Sequence, residues 1–241
     1  DLIQDNQIRT AELNTAFRLP ERFSTVVKGG VFFEQRIQSL ATRNSRQFDR
    51  VAGAPPLPDA RIFEESGFDE RHGGRLPMVD ARATNLELSN RSLWTEDLYY
   101  GESQRLSGTR KGTERVWAGY AMFRSRIGRL HAFGGTRVED TTVLGQGNLK
   151  RASATAAQIP DPIARARHDW DNPVRTKGSY TRSFPSIHFA YDLSPNLKAR
   201  VSWSTSFGRP ALTVLMPSAS ANDNARTVTT SNPALGPQYS K

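Results

Sequence analysis

The sequence predicts an all-β fold that forms part of an antiparallel transmembrane β-barrel with short periplasmic turns and long extracellular loops. Two observations lead to this prediction: segments in which apolar and polar side chains alternate, and a regular succession of short and long connections between them. Alternation separates the two classes of side chain onto opposite faces of a strand, whereas a helix would scatter both around its circumference. The predicted strands cover residues 9–19, 23–36, 111–124, 129–142, 179–193 and 197–207.

The alternation is clearest in the last of these segments. Its apolar positions, which we expect on one face, are Leu197, Ala199, Val201, Trp203 and Phe207. Lys198, Arg200 and three serines fall between them and are expected on the other face.

The connections between the predicted strands alternate in length. Short turns are predicted at Pro20–Arg22, Ser125–Gly128 and Ser194–Asn196, and long polar loops at residues 37–110, 143–178 and 208–237. Compact soluble domains rarely contain several loops of this length. Short turns at one end and long loops at the other are typical of transmembrane barrels. A soluble β-sandwich or an adhesin with large insertions is the alternative that the alternation leaves open.

Composition narrows the possible functions. No run of eighteen apolar residues occurs, which excludes a spanning helix, and the absence of cysteine excludes disulfides and thiol chemistry. The net charge is +9, but residues 37–110 hold ten basic and eleven acidic side chains, and elsewhere the basic residues are dispersed. We therefore expect solvated or lipopolysaccharide-facing surface and no nucleic-acid partner.

The chain starts at Asp1 without an initiator methionine or a signal peptide, and we interpret it as an excerpt of a longer protein; a mature domain with a processed start is the alternative. Six strands cannot close a barrel, and an open sheet edge in lipid leaves unsatisfied backbone groups that cost several kcal/mol each. If the barrel prediction is right, further strands must complete it.

Several segments resemble TonB-dependent outer-membrane receptors. Leu130–Thr141 reads as apolar residues followed by Gly-x-Arg-x-Glu-x-Thr, a strand pattern of that family, and Glu114–Met122 resembles the strand before it. Phe184–Leu193 is similar to the family's LPSL-x-L-x-YDL strand. Arg209-Pro210 then stands where the family has Arg-Pro, and Ser231–Pro237 is similar to GNP-x-L-x-P. The resemblance covers residues 111–241; residues 7–36 match more loosely and residues 37–110 match nothing.

This resemblance implies a barrel of 22 strands around an N-terminal plug in the cell outer membrane. It implies import of a scarce nutrient (a siderophore, vitamin or carbohydrate), driven by the inner-membrane TonB complex acting through the plug. No plug domain is visible in the sequence. A passive porin-like or adhesin-type outer-membrane barrel is the alternative function, and a soluble basic β-rich binding protein is a third.

Candidate ligand-binding residues are the aromatic residues of the long loops. The sequence contains no catalytic motif, and its histidines lack metal-ligand spacing, so we expect no enzyme activity, no metal site and no cofactor. Exposed aromatic rings can stack on a nutrient ligand. The candidates are Trp94, Tyr99, Tyr100 and Trp170; alternatively, they fold the loops back on themselves or lie in the interfacial aromatic girdle.

Three charged strand residues are expected to face the barrel lumen. Arg137 and Glu139 share one face of their strand, and Arg200 lies on the polar face of the last one. A charge on the lipid face costs about 2–4 kcal/mol near the bilayer midplane, which favours the lumen for all three. In the family the lumen wall contacts the plug, so the resemblance implies that Arg137 and Glu139 hold the plug or pair with neighbouring strands.

Overall fold

The computed structural model of the chain describes residues 1–20, 24–55, 61–63, 77–79, 81–222, 226–232 and 235–240. Its elements in chain order are β1 (Leu2–Arg18), β2 (Thr25–Thr42), β3 (Phe48–Arg50), β4 (Arg61–Phe63), β5 (Pro77–Val79), α1 (Ala81–Ser89), a 3₁₀ helix (Arg91–Leu93), β6 (Trp94–Glu96), α2 (Leu98–Gly108), β7 (Arg110–Ile127), β8 (Leu130–Asn148), α3 (Pro162–Trp170), β9 (Pro173–Ser194), β10 (Leu197–Ser204), β11 (Ser206–Gly208), α4 (Leu212–Leu215), β12 (Ala219–Asn222), β13 (Thr227–Thr230) and β14 (Gln238–Ser240).

The main body is one six-stranded antiparallel sheet in the order β1-β2-β7-β8-β9-β10. Each of these strands pairs with the next of the six along the chain, which confirms the predicted antiparallel all-β fold. The sheet does not close on itself, and β1 and β10 form its edges. All six strands lie within or around the predicted segments. Five of them extend farther toward the long loops than predicted. They continue beyond the region where one face is apolar, and only in that region does the alternation indicate a strand.

The short connections all lie at one end of the sheet. Pro195 and Asn196 join β9 to β10 as predicted, and Gly128 and Arg129 join β7 to β8. The predicted turn at Ser125–Gly128 is therefore displaced, because pairing continues to Ile127 and the chain turns at Gly128, which has a φ of 60°, and Arg129. Of the turn predicted at Pro20–Arg22, Glu21 and Arg22 lie outside the described residues.

The long connections lie at the opposite end and contain secondary structure that the sequence analysis did not predict. Helices α1 and α2 and the short pairs β3–β6 and β4–β5 fall in residues 37–110, and α3 falls in residues 143–178. Asp97 begins α2 by accepting a hydrogen bond from the Tyr100 amide at 2.9 Å. These helices have at most three turns, too short for a sustained apolar period to show. No helix in the described part of the chain is long and apolar enough to cross a membrane.

One face of the sheet, here called the apolar face, carries a continuous apolar band. On β7 the band runs from Trp117 to Ile127, and it continues through exposed side chains on the neighbouring strands: Leu13, Phe17, Val27, Val31, Val138, Ile187, Phe189, Tyr191, Val201 and Trp203. Ten residue steps of 3.3 Å on a strand tilted by about 40° span about 25 Å, the height of a barrel's lipid-facing band. The same face becomes polar at Asp140, which pairs with Trp117, and at Arg115, the next residue of β7 on that face.

Phe207 does not belong to this band, contrary to the sequence prediction. Strand β10 ends at Ser204, and after Thr205 the chain pairs with β14 instead. The Phe207 ring stacks on Phe184 at 4.5 Å between centroids, and Phe184 lies on the face opposite the apolar band. The prediction was wrong because the break at Thr205 interrupts the alternation.

Candidate functional site

The face opposite the apolar band, here called the polar face, is divided by charge. Its dividing row is formed by Asn14, Gly30, Tyr120 and Arg137, which are paired across β1, β2, β7 and β8. From this row toward the long loops, the loop-side half of the polar face holds four carboxylates together with arginines. They are Glu12, Glu34, Glu114 and Glu139, with Arg36, Arg110, Arg137 and Arg182.

Arg209 links two of these carboxylates. Its guanidinium donates to Oε2 of Glu139, and its Nε lies 4.0 Å from Oε1 of Glu114. Arg137 donates from Nε to the other Glu139 oxygen, so that carboxylate is held from two sides. Glu114 is 7% exposed and Glu139 6% exposed. Buried carboxylates are costly unless they are paired, so Arg209 stabilises charge on two neighbouring strands.

The segment that follows Arg209 packs onto the polar face. Leu212, Leu215 and Met216 form a buried cluster with Leu40 of β2 and Val143 of β8. The close approach requires glycine on the strand: a Cβ at Gly145 would lie 2.6 Å from the Leu215 carbonyl oxygen. Residues 209–217, here called the latch segment, thus cover the loop-side half of the polar face through an ion-pair network and a small apolar core.

A cleft of about 610 Å³ lies beside the latch segment. Its lining includes Glu114, Tyr180, Arg182, Leu215 and Tyr239, which combine aromatic rings with both signs of charge. Arg182 donates to the Tyr239 hydroxyl at 3.1 Å and lies over the same ring at 5.3 Å. An apolar cleft with a few convergent polar groups is the usual form of a small-molecule site.

Two predicted ligand residues instead join the long loops to each other. The Tyr99 hydroxyl donates to Oδ2 of Asp169 at 2.8 Å, and the Ala154 amide donates to the other oxygen at 2.9 Å. Burial, followed by the hydrogen bond to Asp169, raises the pKa of Tyr99 to about 12. Trp170 is 8% exposed, so its ring packs within the same contact. This is the alternative in which the aromatic residues fold the loops together.

An ion-pair network strengthens this contact between α2 and α3. Arg105 donates to Glu102 at 2.7 Å from its own helix, and Arg167 of α3 donates to Glu102 at 2.8 Å. The hydrogen bond from Arg105, together with that from Arg167, lowers the pKa of Glu102 to about 2. The carboxylate therefore stays charged, and helices from two different loops are clamped together.

The other two predicted ligand residues lie apart from that contact or at its edge. Trp94 borders a separate cleft of about 390 Å³ with Phe48 and Arg91, and its indole nitrogen donates to the Glu87 carbonyl at 3.2 Å. Tyr100 is half-buried in the first turn of α2. The structure therefore brings Tyr99 and Trp170 together and places Trp94 elsewhere. Ligand contact stays a prediction for all four.

The turn-side half of the polar face contains Arg200. This residue pairs with Ala190 of β9, next to Asp192, which binds Lys198 at 3.0 Å and His131 at 3.0 Å. Contact of Arg200, Arg137 or Glu139 with a plug stays a prediction. In the described part of the chain, no three His, Asp or Glu side chains come together in a group that could hold a metal ion.

Glu114 and Arg209, which organise the loop-side half, were not predicted as functional residues from the sequence. Glu114 continues the alternation of β7 beyond the apolar band, and extending that alternation would have placed it on the same face as Glu139. Arg209 was visible only as half of an Arg-Pro pattern, and the fold back onto the strands has no local signal.

Comparison with known proteins assigns the family. Residues 84–241, roughly two-thirds of the chain, match the outer membrane protein beta-barrel family. No curated protein and no solved structure matches the chain. The match agrees with the antiparallel sheet and its apolar band, which identifies the apolar face as lipid-facing and the polar face as the lumen wall. The chain therefore belongs to the outer membrane protein beta-barrel family and resides in the outer membrane.

Proposed function

We propose that this chain is part of a TonB-dependent receptor that imports a scarce nutrient, a siderophore, vitamin or carbohydrate, and performs transport rather than catalysis. The observation that carries the proposal is the ordered series of segments that resemble those receptors, from Glu114–Met122 to Ser231–Pro237. Glu114–Met122 lies on β7, Leu130–Thr141 on β8 and Phe184–Leu193 on β9, and Arg209-Pro210 begins the latch segment.

The proposed partners follow from the same resemblance to TonB-dependent receptors. The nutrient enters from the loop end, where the cleft beside the latch segment offers Tyr180, Arg182 and Tyr239 for stacking and hydrogen bonding. A plug in the lumen contacts Arg137, Glu139 or Arg200 and passes energy from the TonB complex. Membrane lipid and lipopolysaccharide surround the apolar face, and nucleic acid is not a partner.

Energised uptake in the source bacterium tests the proposal. A deletion strain complemented with the full-length gene is supplied with radiolabelled ferric siderophores, cobalamin and oligosaccharides, with and without a protonophore. The proposal predicts gene-dependent accumulation of one nutrient class that stops when the protonophore is added or TonB is removed. Gene-dependent uptake that is indifferent to both treatments supports the passive porin-like barrel, and binding of host or surface polymers without uptake supports the adhesin.

A further inference from the structure

The turn-side half of the lumen wall is strongly basic. Between the dividing row and the short turns, the polar face carries six cations and, among the described residues, the single carboxylate Asp192. The six are Arg18, Lys28, Arg124, Arg126, Lys198 and Arg200. The loop-side half holds four carboxylates and four arginines, so the wall changes from nearly balanced charge to strongly basic along the strands.

Four of these six cations, Arg200 among them, have no ion-pair or hydrogen-bond partner among the described residues. Lys198 binds Asp192 at 3.0 Å, and Arg126 donates to the Gly128 carbonyl. Across the part of the chain that the structure describes, Arg18, Lys28 and Arg124 form no ion pair, and all three are exposed. Neighbouring unpaired cations repel one another and create a positive potential that an anion relieves.

Three of the unpaired cations surround an apolar floor. Arg18, Lys28 and Arg124 border a cleft of about 710 Å³ whose lining includes Val26, Met122 and Phe133. Arg18, Val26, Arg124 and Phe133 form one row across β1, β2, β7 and β8, and Lys28 stands opposite Met122 in the next row. Phe133 is 37% exposed, so part of its ring is open to a ligand. The volume is within the usual range of small-molecule sites.

We propose that this cleft binds a small amphipathic anion, with an aromatic or aliphatic body on Met122 and Phe133 and carboxylate, sulfonate or phosphate groups on Arg18, Lys28 and Arg124. Charge and shape both favour such a ligand, because three cations on a rim accept several negative groups while the floor removes apolar surface from water. In the loop-side half the carboxylates offset the arginines, so the excess positive charge at the turn end favours the ligand there. The site follows from the wall itself and holds for an energised receptor or a passive barrel.

Binding of pyranine, a pyrene that carries three sulfonates, tests the site in the full-length protein in non-ionic detergent. Fluorescence anisotropy is expected to show saturable binding that weakens as salt rises. The variant Arg18→Gln/Lys28→Gln/Arg124→Gln is expected to lose about tenfold or more in affinity for pyranine, since each exposed ion pair between a cation and a sulfonate contributes a modest amount and three are removed. Phe133→Ala, which keeps every charge, is expected to weaken binding at high salt as well.

The matched control removes three cations from the other face: Lys111→Gln/Arg115→Gln/Arg175→Gln. These residues are exposed and lie beyond the apolar band, so this variant has the same net charge as the triple lumen variant and is expected to bind like the wild type. Heat-modifiable migration on gels verifies that each variant is folded. Equal loss in both triple variants overturns the proposal. Absence of saturable binding by the wild type also overturns the proposal and leaves an acidic polypeptide surface as the occupant of the cleft. Nutrient uptake is measured separately, so neither result bears on the proposed transport function.

Discussion

Val201→Arg is expected to impair insertion of the barrel, whereas Ser202→Arg is expected to be tolerated. Val201 is 65% exposed on the apolar face, and Ser202, its neighbour in β10, lies on the polar face opposite His188. The two substitutions add the same side chain one residue apart. Only the face on which it lies, lipid or lumen, differs between them.

The expected magnitude follows from the depth of Val201. It lies five residues from the Pro195–Asn196 turn, which at 3.3 Å per residue and a tilt of about 40° is about 13 Å along the membrane normal. The apolar band is about 25 Å tall, so Val201 lies close to its centre. Arginine there costs about 2–4 kcal/mol on the lipid face, which corresponds to roughly a 30- to 1,000-fold shift of the folding equilibrium.

The assay is urea-dependent folding of the full-length protein into lipid vesicles, followed by heat-modifiable migration on gels. Val201→Arg should shift the folding midpoint to lower urea, and Ser202→Arg should stay near the wild type. Equal destabilisation by both variants would show that the faces of β10 are assigned wrongly. Tolerance of both would show that this part of β10 does not face lipid.

Three further predictions concern the loop end. Arg209→Met should release the latch segment and increase its proteolysis. Adding Glu139→Gln to that variant should restore part of the protection, because one of the two carboxylates that lost Arg209 is then neutral. Additive effects of the two substitutions on proteolysis would contradict the ion-pair network. Gly145→Val should release the same segment, since a Cβ meets the Leu215 carbonyl at 2.6 Å, whereas Gly178→Val, with nothing within 4 Å, should not; equal proteolysis of the two would disprove the close approach. The pKa of Glu102 is about 2 in the folded protein and higher in the unfolded chain, so its contribution to the α2–α3 contact is present above about pH 4.5 and is lost as the pH falls toward 2. Hydrogen exchange in α2 should therefore rise as the pH falls through that window, and it should rise less steeply in Glu102→Gln. An unchanged pH profile in Glu102→Gln would argue against the ion-pair network between α2 and α3.

The membrane-spanning part of the sheet was predictable because lipid imposes a strict pattern on sequence. Alternation such as Val201, Ser202 and Trp203 persists wherever one face meets lipid and the other meets water. It stops at Arg115 and Asp140, although the strands continue, because the lipid-facing side turns polar there while the lumen side mixes charged residues with the buried Leu40 and Val143. The sequence therefore located the strands and understated the length of most of them.

The candidate site was much less predictable because its contacts join residues distant in sequence. Arg209 reaches Glu139 across 70 positions, and Tyr99 reaches Asp169 across 70 as well. Trp170 reads as an exposed loop aromatic in the sequence, but packing of α3 against α2 buries it. The basic turn-side surface was partly predictable. The alternation of each strand places Arg18, Lys28 and Arg124 on the polar face, but the pairing register was needed to show that they lie close together.

Site-directed spin labelling along β7 in the full-length protein tests the central claim most directly. These 241 residues contain no cysteine to compete with introduced ones, and any cysteine elsewhere in the protein is first replaced by serine. Single cysteines at residues 117–127, labelled in lipid vesicles, report collision with oxygen, which concentrates in lipid, and with a water-soluble nickel chelate. The account predicts period-two alternation in which odd-numbered positions, including Trp117 and Phe123, collide with oxygen and even-numbered positions, including Met122 and Arg124, do not. Absence of alternation, or alternation in the opposite phase, would contradict a strand with its apolar face in the outer membrane.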